Sequence, residues 1–268
     1  LNAGKHVLCE KAFAQNEAQA REMIRLAREK GLLLTEAIWT RYMPSRQMIN
    51  DLIREGVIGE VMTISANLGY HIDMNERIIR PELAGGALLD LTVYPLNFTS
   101  MILGDDIESI DASCVMTDTG VDGQDSVTIR YRDGKVAHLF TSIYTLTDRR
   151  GMIYGRDGFI EVQNINNPEV ILLDEPFSAL DPLTRRSMHR WYLDVMEKIQ
   201  LTTCFITHDV DEAVLLSDRV CLLTGKPGNI SHELVIHKPR PRDENFNLST
   251  EFLEYKKKIL AIINHSDK

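Results

Sequence analysis

The sequence predicts a protein of mixed class, with an α/β segment at each end and an α+β segment between them. Residues 6–35 follow the order strand, helix, strand, which is the order of a parallel βαβ unit. Residues 61–162 contain several β-type runs, and Asp133-Gly134 between two of them is a strong hairpin signal. Residues 170–173 form an apolar run followed by two carboxylates, and strands buried on both faces of a parallel sheet have this form.

Composition and charge are those of an ordinary globular protein. The chain has 268 residues, of which 44% are hydrophobic and 26% charged, enough for one large or two modest domains. A formal net charge of -9 disfavours nucleic acid as a partner. No apolar run approaches the ~18 residues that span a membrane, so direct membrane insertion is not expected. The four cysteines show neither metal-ligand nor disulfide spacing, which predicts buried, reduced thiols in a cytoplasmic protein.

The N-terminal elements follow from apolar spacing and from residues that suit helix ends. Residues 6–10 form a short predicted strand with Lys11 at its tip. Asn16 suits the N-cap of a helix whose apolar positions recur at helical spacing, and Gly31 suits its end. Residues 32–35 form the second strand, which completes one right-handed βαβ unit.

The middle segment changes from this pattern to strands joined by hairpins. A helix is predicted over residues 45–54, and the Gly85-Gly86 turn enters a second helix that continues to Leu103. Strand-like runs occupy residues 61–70, 107–117, 125–131, 136–144 and 159–162. Strands joined by hairpins, with helices kept apart, are typical of an α+β domain with an antiparallel sheet.

Three segments of the first half carry a resemblance to a known family. Residues 4–11, GKHVLCEK, and residues 36–44, EAIWTRYMP, resemble segments of the Gfo/Idh/MocA oxidoreductases. Residues 85–95, GGALLDLTVYP, are similar to a GGALLDxGVYP segment of the dihydrodiol and xylose dehydrogenase branch. The resemblance implies a partial Rossmann βαβ unit in residues 1–44, followed by an antiparallel-sheet substrate and dimerisation domain in residues 45–165.

The resemblance implies an NAD(P)-dependent oxidation of a sugar or diol CH–OH group. In the family, the lysine and tyrosine that match Lys11 and Tyr94 face the nicotinamide and the substrate carbinol. The chemistry agrees, because Tyr94 could take the hydroxyl proton if the Lys11 ammonium favours its phenolate. Asp90 lies four residues before Tyr94 on the same helix face and could meet it at one pocket. Three further positions belong to the cofactor side by resemblance: Glu10, Trp39 and Arg41.

Plainer interpretations stay open for these residues. Lys11 could be a solvated side chain at a strand end, and Tyr94 could be a core residue with a satisfied hydroxyl. Asp90 could serve the glycine turn or the helix start. Arg41 could cap a helix instead of touching a cofactor phosphate.

The first half departs from the family pattern in ways that bear on cofactor binding. Ala12 replaces the usual proline and Thr92 the usual glycine, and neither change removes a reacting group. The G-x-G-x-x-G turn, which places backbone N–H groups on a pyrophosphate, does not occur in the sequence. Losing three or four such hydrogen bonds, each worth ~1.5–3 kcal/mol, weakens binding at least ~10³-fold. We therefore predict little or no NAD(P) affinity for the chain alone, and its start at Leu1 without Met suggests a fragment.

The last hundred residues return to an α/β pattern. Helices are predicted over residues 182–200, 211–216 and 252–263, and strands over residues 202–207, 219–223 and 233–237. Residues 170–181, VILLDEPFSALD, resemble the Walker B and D-loop segments of ABC-transporter ATPases, and residues 205–209, FITHD, resemble their switch-histidine segment. The ATPase subunits of nitrate, sulfonate and taurine importers are the most similar.

This second resemblance implies that residues 170–268 are the C-terminal half of a nucleotide-binding domain with a partial P-loop NTPase parallel sheet. Residues 166–169 would be the junction between the two halves. By resemblance, Asp174 holds Mg²⁺ through water, Glu175 polarises the attacking water, and His208 contacts the γ-phosphate. A carboxylate pair at a strand end suits a hard cation. The alternative is that the two carboxylates only end a buried strand.

The implied cofactor of the second half is Mg-ATP. Ser178 and Asp181 would face a partner, which the resemblance identifies as an ABC permease or a second ATPase subunit. The sequence contains neither the P-loop, G-x-x-x-x-G-K-[ST], nor an LSGGQ-type signature. Without these loops ATP has no phosphate cradle, so we expect Mg-ATP binding by the chain alone to be lost as well.

Three hypotheses therefore stand beside one another. The chain is an oxidoreductase whose cofactor domain is mostly missing, an ABC importer ATPase remnant, or a fusion product in which neither activity survives. The antiparallel sheet is a candidate surface for a homodimer. Sheets that lack strands leave open edges, so self-association is also expected.

Overall fold

The fold is described from a computed structural model over residues 1–166, 170–178, 180–198, 202–225, 228–240, 242 and 245–266. The strands are β1 (Val7–Cys9), β2 (Leu34–Glu36), β3 (Val61–Gly69), β4 (Ile107–Met116), β5 (Asp122–Tyr131), β6 (Val136–Ser142), β7 (Gly151–Gly155), β8 (Phe159–Val162), β9 (Val170–Asp174), β10 (Thr202–Ile206), β11 (Arg219–Thr224) and β12 (Asn229–Val235). The helices are α1 (Glu17–Lys30), α2 (Pro44–Arg54), α3 (Glu76–Ile79), α4 (Val93–Leu103), α5 (Pro182–Lys198), α6 (Val210–Leu216) and α7 (Thr250–Ser266).

The N-terminal unit has the predicted order of strand, helix and strand. Strands β1 and β2 pair in parallel, with Val7 opposite Leu34, and α1 connects them. The Asn16 side chain accepts a hydrogen bond from the Gln19 N–H group and caps the helix. Gly31 ends it in the left-handed conformation, with φ of 61°. These two end residues confirm the sequence argument for the βαβ unit.

The central sheet has eight strands in the order β10-β9-β8-β7-β3-β6-β5-β4. The antiparallel sheet predicted for residues 45–165 is mixed instead, because β3 pairs with β6 in parallel, Thr63 lying opposite Val136. Helices and two strands intervene between β3 and β6 in the chain, so no hairpin forces them to be antiparallel. Strand β7 pairs with β3 in the antiparallel sense on its other side.

The separate parallel sheet predicted for the last hundred residues is not formed. Strand β9 pairs with β8 in the antiparallel sense, with Phe159 opposite Asp174, so β9 and β10 extend the central sheet. Strands β9 and β10 are themselves parallel, as predicted. The apolar run of β9 thus covers the otherwise open edge of β8. Strands β11 and β12 form a two-stranded antiparallel sheet of their own.

One hydrophobic core runs across the point where the two predicted halves meet. It joins α2 and α4 on one face of the sheet to β9 and α5, and its buried members include Met48, Leu52, Ile64, Phe98, Ile153, Ile160, Leu173, Phe177, Met188 and Tyr192. A smaller cluster lies among α6, β11 and α7, with Val214, Val220, Leu222, Phe252 and Ile259. Of the predicted junction at residues 166–169, Asn166 is described and the other three lie outside the described residues.

Among the described residues, one helical stretch, Pro81–Leu103, is long and apolar enough to cross a membrane by length and composition. In the fold, 44% of its most apolar 18-residue window is buried inside the protein. It includes a π-helical turn, Leu88–Thr92, followed by α4. A core helix passes the same test of length and composition, so this stretch does not decide for or against a membrane span.

The cysteines are unpaired, but their predicted burial is wrong. Cys114, Cys204 and Cys221 are exposed, and Cys9 is half-buried. Cys204 and Cys221 lie on the more exposed face of β10 and β11, and Cys114 lies in a stretch of the edge strand β4 that is exposed on both faces. An apolar run in the sequence therefore did not distinguish the covered face of a strand from the open one.

If the two halves share one core, a cavity in β9 destabilises the whole chain. Leu173 is fully buried opposite Ile160 of β8. We expect Leu173→Ala to lower the free energy of unfolding by about 2–5 kcal/mol, as for other buried leucines. Thermal unfolding followed by circular dichroism should show one transition that shifts as a unit.

The matched control is Leu183→Ala, because Leu183 is 80% exposed on α5. Its unfolding midpoint should stay close to that of the unaltered protein. Two separate transitions, of which only one responds to Leu173→Ala, would contradict the shared core.

Candidate functional site

Lys11 lies just after β1 and reaches across to the turn before α4. Its Nζ donates hydrogen bonds to the Asp90 backbone carbonyl at 2.8 Å and to Asp90 Oδ1 at 3.0 Å. The two side chains are only 15% and 13% exposed. Lys11 is therefore not the solvated strand-end lysine of the plainer interpretation, and Asp90 does more than serve the glycine turn.

Arg77 is a member of this cluster that the sequence analysis missed. Its Nη2 donates to the same Asp90 Oδ1 at 2.7 Å. Burial by itself raises the pKa of the Asp90 carboxyl, but hydrogen bonds from Arg77 and Lys11 outweigh it and lower that pKa below its usual value. Arg77 lies on α3, outside every motif, so no local pattern in the sequence pointed to it.

Tyr94 lies in the first turn of α4 and faces the same cluster. The Lys11 Nζ lies 5.1 Å from the centroid of the Tyr94 ring. The Tyr94 side chain is half-buried, and within the described residues its hydroxyl has no hydrogen-bond partner. The structure thus brings Lys11, Asp90 and Tyr94 together as predicted, while their chemical roles stay a prediction.

The other residues assigned to the cofactor side are exposed or have partners of their own. Glu10 is exposed, and Trp39 is 48% exposed in a 3₁₀ turn, Trp39–Tyr42. Arg41 is exposed, and its Nη1 donates to Asn97 Oδ1 of α4 at 3.0 Å. Glu36 holds the loop after Lys11 in place, because its Oε1 accepts the Phe13 N–H group at 2.9 Å.

A buried polar cluster lies beneath the turn that carries Asp90, and the sequence analysis also missed it. The Thr92 hydroxyl donates to Asp125 Oδ2 at 2.9 Å and lies 2.6 Å from the Thr141 hydroxyl. Asp125 is 6% exposed. Burial raises the pKa of the Asp125 carboxyl to about 6, against the hydrogen bond from Thr92 and with the help of nearby Asp122.

The chain's own residues fit one end of a nicotinamide cofactor and not the other. Lys11 and Tyr94 form a cation and phenol pair, and these are the group types that could take a proton from a carbinol beside a nicotinamide. Strands β1 and β2 end side by side, as ligand-binding strands of parallel sheets do. The glycine-lined turn for the pyrophosphate is not in the sequence, so the fit covers the reacting end alone.

A second group of site residues meets at the ends of β9 and β10. Parallel pairing sets Asp174 opposite Ile206, and the Glu175 N–H group donates to the Ile206 carbonyl at 2.8 Å. Glu175 Oε1 then lies 2.7 Å from the ring atom Nδ1 of His208 and accepts a hydrogen bond from the His208 backbone N–H group at 3.1 Å. The hydrogen bond with the Glu175 carboxylate raises the pKa of His208 above its usual value.

The remaining residues of this group have local partners. Asp181 Oδ1 accepts the N–H groups of Leu183 at 3.0 Å and Thr184 at 3.2 Å, so it caps α5, and hydrogen bonds with Thr184 lower the pKa of its carboxyl. Ser178 is exposed and donates to the Glu175 carbonyl at 3.0 Å. Asp174 is half-buried. In the part of the chain that is described, no set of three or more His, Cys, Asp or Glu side chains could hold a metal ion directly.

A family model, several relatives and several solved structures match part of the chain. Residues 47–161 match the family model described as the GFO/IDH/MocA C-terminal domain. Trans-1,2-dihydrobenzene-1,2-diol dehydrogenase of Xenopus laevis is 37% identical over 163 residues, 60% of this chain and 49% of that protein. The enzyme of Mus musculus is 34% identical over 175 residues, 65% of this chain and 53% of that protein. The chain thus spans about half the length of these relatives.

Solved structures give the same picture. A 3-ketoreductase from Actinomadura kijaniata, in complex with NADP and TDP-benzene, is 30% identical with a TM-score of 0.59, over 62% of this chain and 52% of that one. An aldose-aldose oxidoreductase from Caulobacter crescentus is 25% identical with a TM-score of 0.58, over 62% and 51%. By sequence and by fold, residues 47–161 therefore resemble the C-terminal domain of the Gfo/Idh/MocA oxidoreductases.

The buried Asp125 carboxyl gives a pH-dependent stability. A pKa raised in the folded state means that ionisation opposes folding, so the contribution of Asp125 is most favourable at acid pH and falls as the pH rises through about 6. Asp125→Asn cannot ionise and still offers Thr92 an acceptor oxygen. We expect the free energy of unfolding of this variant, relative to that of the unaltered protein, to increase between pH 4 and pH 8 by at most about 3 kcal/mol. Denaturant unfolding at several pH values measures this difference.

Asp133→Asn is the control for this comparison. Asp133 is also on the β5–β6 hairpin but is exposed and paired with Lys135. A constant difference between Asp125→Asn and the unaltered protein across this pH range would show that Asp125 titrates normally.

The Glu175 and His208 pair predicts a second pH effect. Glu175→Gln removes the negative charge that favours the imidazolium, so the pKa of His208 should fall. An NMR titration of the His208 ring protons measures this directly. The control is Glu233→Gln. Glu233 pairs with Arg219 and not with His208, so this substitution should leave the pKa of His208 unchanged. An unaltered His208 titration in Glu175→Gln would mean that the pair does not form.

Proposed function

We propose that residues 1–165 form the substrate side of an NAD(P)-dependent oxidoreductase that acts on a CH–OH group of a sugar or diol. The observation that carries the proposal is the meeting of Lys11, Asp90 and Tyr94 in one largely buried cluster. The relatives support the reaction class, since they are dihydrodiol dehydrogenases, and a structural neighbour is a 3-ketoreductase in complex with NADP.

In this proposal, Tyr94 and Lys11 each have one role in the oxidation of a carbinol. When bound, the nicotinamide accepts the hydride that leaves the carbinol carbon. Tyr94 takes the hydroxyl proton, for which its uncommitted phenol oxygen is available. The Lys11 ammonium, 5.1 Å from the Tyr94 ring centroid, stabilises the negative charge that develops on that oxygen.

Asp90 keeps the Lys11 ammonium in this position. The ammonium would otherwise be free to swing on its four-carbon stem, and a second hydrogen bond from the Asp90 carbonyl limits this freedom further. Arg77 shares the carboxylate at 2.7 Å, so Asp90 stays ionised to lower pH than an ordinary aspartate. Glu10, Trp39 and Arg41 are exposed and remain the candidates for contacts to the rest of the cofactor.

A homodimer through the outer face of the central sheet belongs to this proposal. The surface that we call the open face consists of outward side chains of β3, β5, β6 and β7. Phe140 is 40% exposed there and Tyr154 39%, with exposed polar neighbours Ser126 and His138. Large exposed aromatic side chains on a flat sheet face support protein association. The free cysteines support a cytoplasmic location.

A second function is proposed for residues 170–268, because the geometry of β9 and β10 favours it. Asp174, Glu175 and His208 lie at adjacent carboxyl ends of parallel strands, where α/β folds bind their ligands. Asp174 would hold Mg²⁺ of Mg-ATP through water, Glu175 would orient a water molecule, and His208 would contact a phosphate. Ser178 and Asp181 are exposed beside them, open to an ABC permease or a second ATPase subunit.

Both nucleotide sites lack their phosphate cradle in the sequence. We therefore propose that the chain alone is a fusion of two partial enzymes with weak affinity for either nucleotide. Loss of three or four hydrogen bonds to phosphate moves an affinity from micromolar to about millimolar or weaker. Calorimetric titration of the full chain with NADP⁺ and with Mg-ATP tests this, and micromolar binding of either ligand would contradict the corresponding loss.

The oxidoreductase proposal is tested by turnover at high cofactor concentration. At roughly millimolar NADP⁺, with a panel of sugars and vicinal diols, we expect slow formation of reduced nicotinamide by absorbance. Tyr94→Phe should lower this rate at least about 100-fold, because it removes the group that takes the proton. Lys11→Met should have a similar effect.

Tyr154→Phe is the matched control, because it removes a phenol hydroxyl from the open face instead of the cluster. It should leave the rate unchanged. If no substrate is turned over at any cofactor concentration, or if Tyr94→Phe is as active as the unaltered chain, the oxidoreductase proposal fails.

A further inference from the structure

We propose that Asp125 is a positioning residue of the Lys11 site. Acting through Thr92, it fixes the turn Leu88–Thr92 on the sheet, so that Asp90 and Tyr94 face Lys11. The inference deepens the proposed oxidoreductase function and rests on it for its meaning, but its geometry can be tested without any turnover.

The Thr92 side chain is the link between the turn and the sheet. Thr92 is fully buried, and its hydroxyl lies 2.9 Å from Asp125 Oδ2, 2.6 Å from the Thr141 hydroxyl and 3.2 Å from the Ala87 carbonyl. Asp125 on β5 and Thr141 on β6 are direct cross-strand partners. One hydroxyl therefore ties the last residue of the turn to two neighbouring strands and to the chain just before the turn.

The other end of the turn is held by the same strand. Asp122 of β5 accepts the Leu88 N–H group on Oδ2 at 2.5 Å. The chain approaches Asp122 closely at Gly86, whose φ is 109°; a Cβ there would lie 2.3 Å from Asp122 Oδ1. Asp122 and Asp125, three residues apart on β5, thus accept hydrogen bonds from the first and the last residue of the five-residue turn.

The Lys11 contact depends on the backbone of this turn as well as on a side chain. Lys11 Nζ is 2.8 Å from the Asp90 backbone carbonyl and 3.0 Å from its carboxylate. A side chain can change rotamer to follow its partner, but a carbonyl moves only with the chain. Any shift of the turn is therefore passed to Lys11 directly, and the tie through Thr92 is what resists such a shift.

Thr92 is also the position at which the sequence departs from the glycine of the family that it resembles. A glycine has no hydroxyl with which to reach Asp125, so in this chain the departure creates the link. A buried carboxylate is costly unless it is hydrogen-bonded, and Thr92 supplies that bond. Thr92 and Asp125 therefore act as a pair.

The test is the chemical reactivity of Lys11 in the full chain, measured by reductive methylation of lysines and peptide mass spectrometry. Held by Asp90 and largely buried, Lys11 should react slowly. In Asp125→Ala and in Thr92→Val, the rate at Lys11 should rise on the order of tenfold, the effect of losing one hydrogen bond to a charged group. The conservative variants Asp125→Asn and Thr92→Ser keep the acceptor and the donor, and should restore the slow rate.

Lys135 is the internal reference. It lies on the β5–β6 hairpin, on the same strand pair as Asp125, and is 23% exposed in an ion pair with Asp133. A purely structural role of Asp125 would loosen the sheet and raise the rates at Lys135 and Lys11 together, which would overturn the proposal. A rise at Lys11 alone, with rescue by the conservative variants, supports it.

An unchanged Lys11 rate in folded Asp125→Ala and Thr92→Val would also overturn the proposal. If Asp125→Ala fails to fold, Thr92→Val, which keeps the side-chain shape, decides the question. The turnover assay with NADP⁺ separates the two levels. If labelling rises at Lys11 alone but the chain shows no turnover, the oxidoreductase function is refuted and the positioning role stands. If the chain shows turnover but labelling at Lys11 does not change, only the positioning role is refuted.

Discussion

An ion pair between residues 79 positions apart in the chain, Lys11 and Asp90, holds the candidate site together. Lys11 belongs to the small βαβ unit at the N-terminus, and Asp90 to the turn that packs on the central sheet. Because both side chains are largely buried, loss of either partner would leave a buried charge unpaired, which costs more than breaking a surface ion pair, so both partners must stay in place. Arg77 on one side and the Thr92–Asp125 link on the other serve that condition.

A different constraint organises the second half of the chain: the apolar strand β9 is buried by pairing with a strand on each of its two edges. Strand β9 carries four consecutive apolar residues and lies between β8 and β10. This placement extends the sheet of the first half and sets Glu175 beside His208 at its end. The turn that carries Asp90 and the strand end that carries Glu175 thus belong to elements that share one hydrophobic core, although their sequence patterns resemble unrelated families.

The sequence predicted much of this fold because its strong signals are local. Asn16 and Gly31 set the ends of α1, and the motif segments pointed to Lys11, Asp90 and Tyr94, which the structure brings together. Arg77 and Asp125 could not be found in this way, since each acts through a tertiary contact, 13 and 33 residues from its partner. The merged sheet was missed for the same reason. An exposed strand edge can pair with any suitable strand through its backbone N–H and C=O groups, so the local sequence does not show which strand pairs there.

The most direct measurement of the central claim is a double-mutant cycle between Lys11 and Asp90, with unfolding free energies of Lys11→Met, Asp90→Asn and the double variant. For a largely buried, hydrogen-bonded pair the account predicts a coupling energy of about 1–3 kcal/mol. A coupling energy indistinguishable from zero, with all variants folded, would mean that the N-terminal unit does not meet the turn at Asp90, and the candidate site would not exist as described.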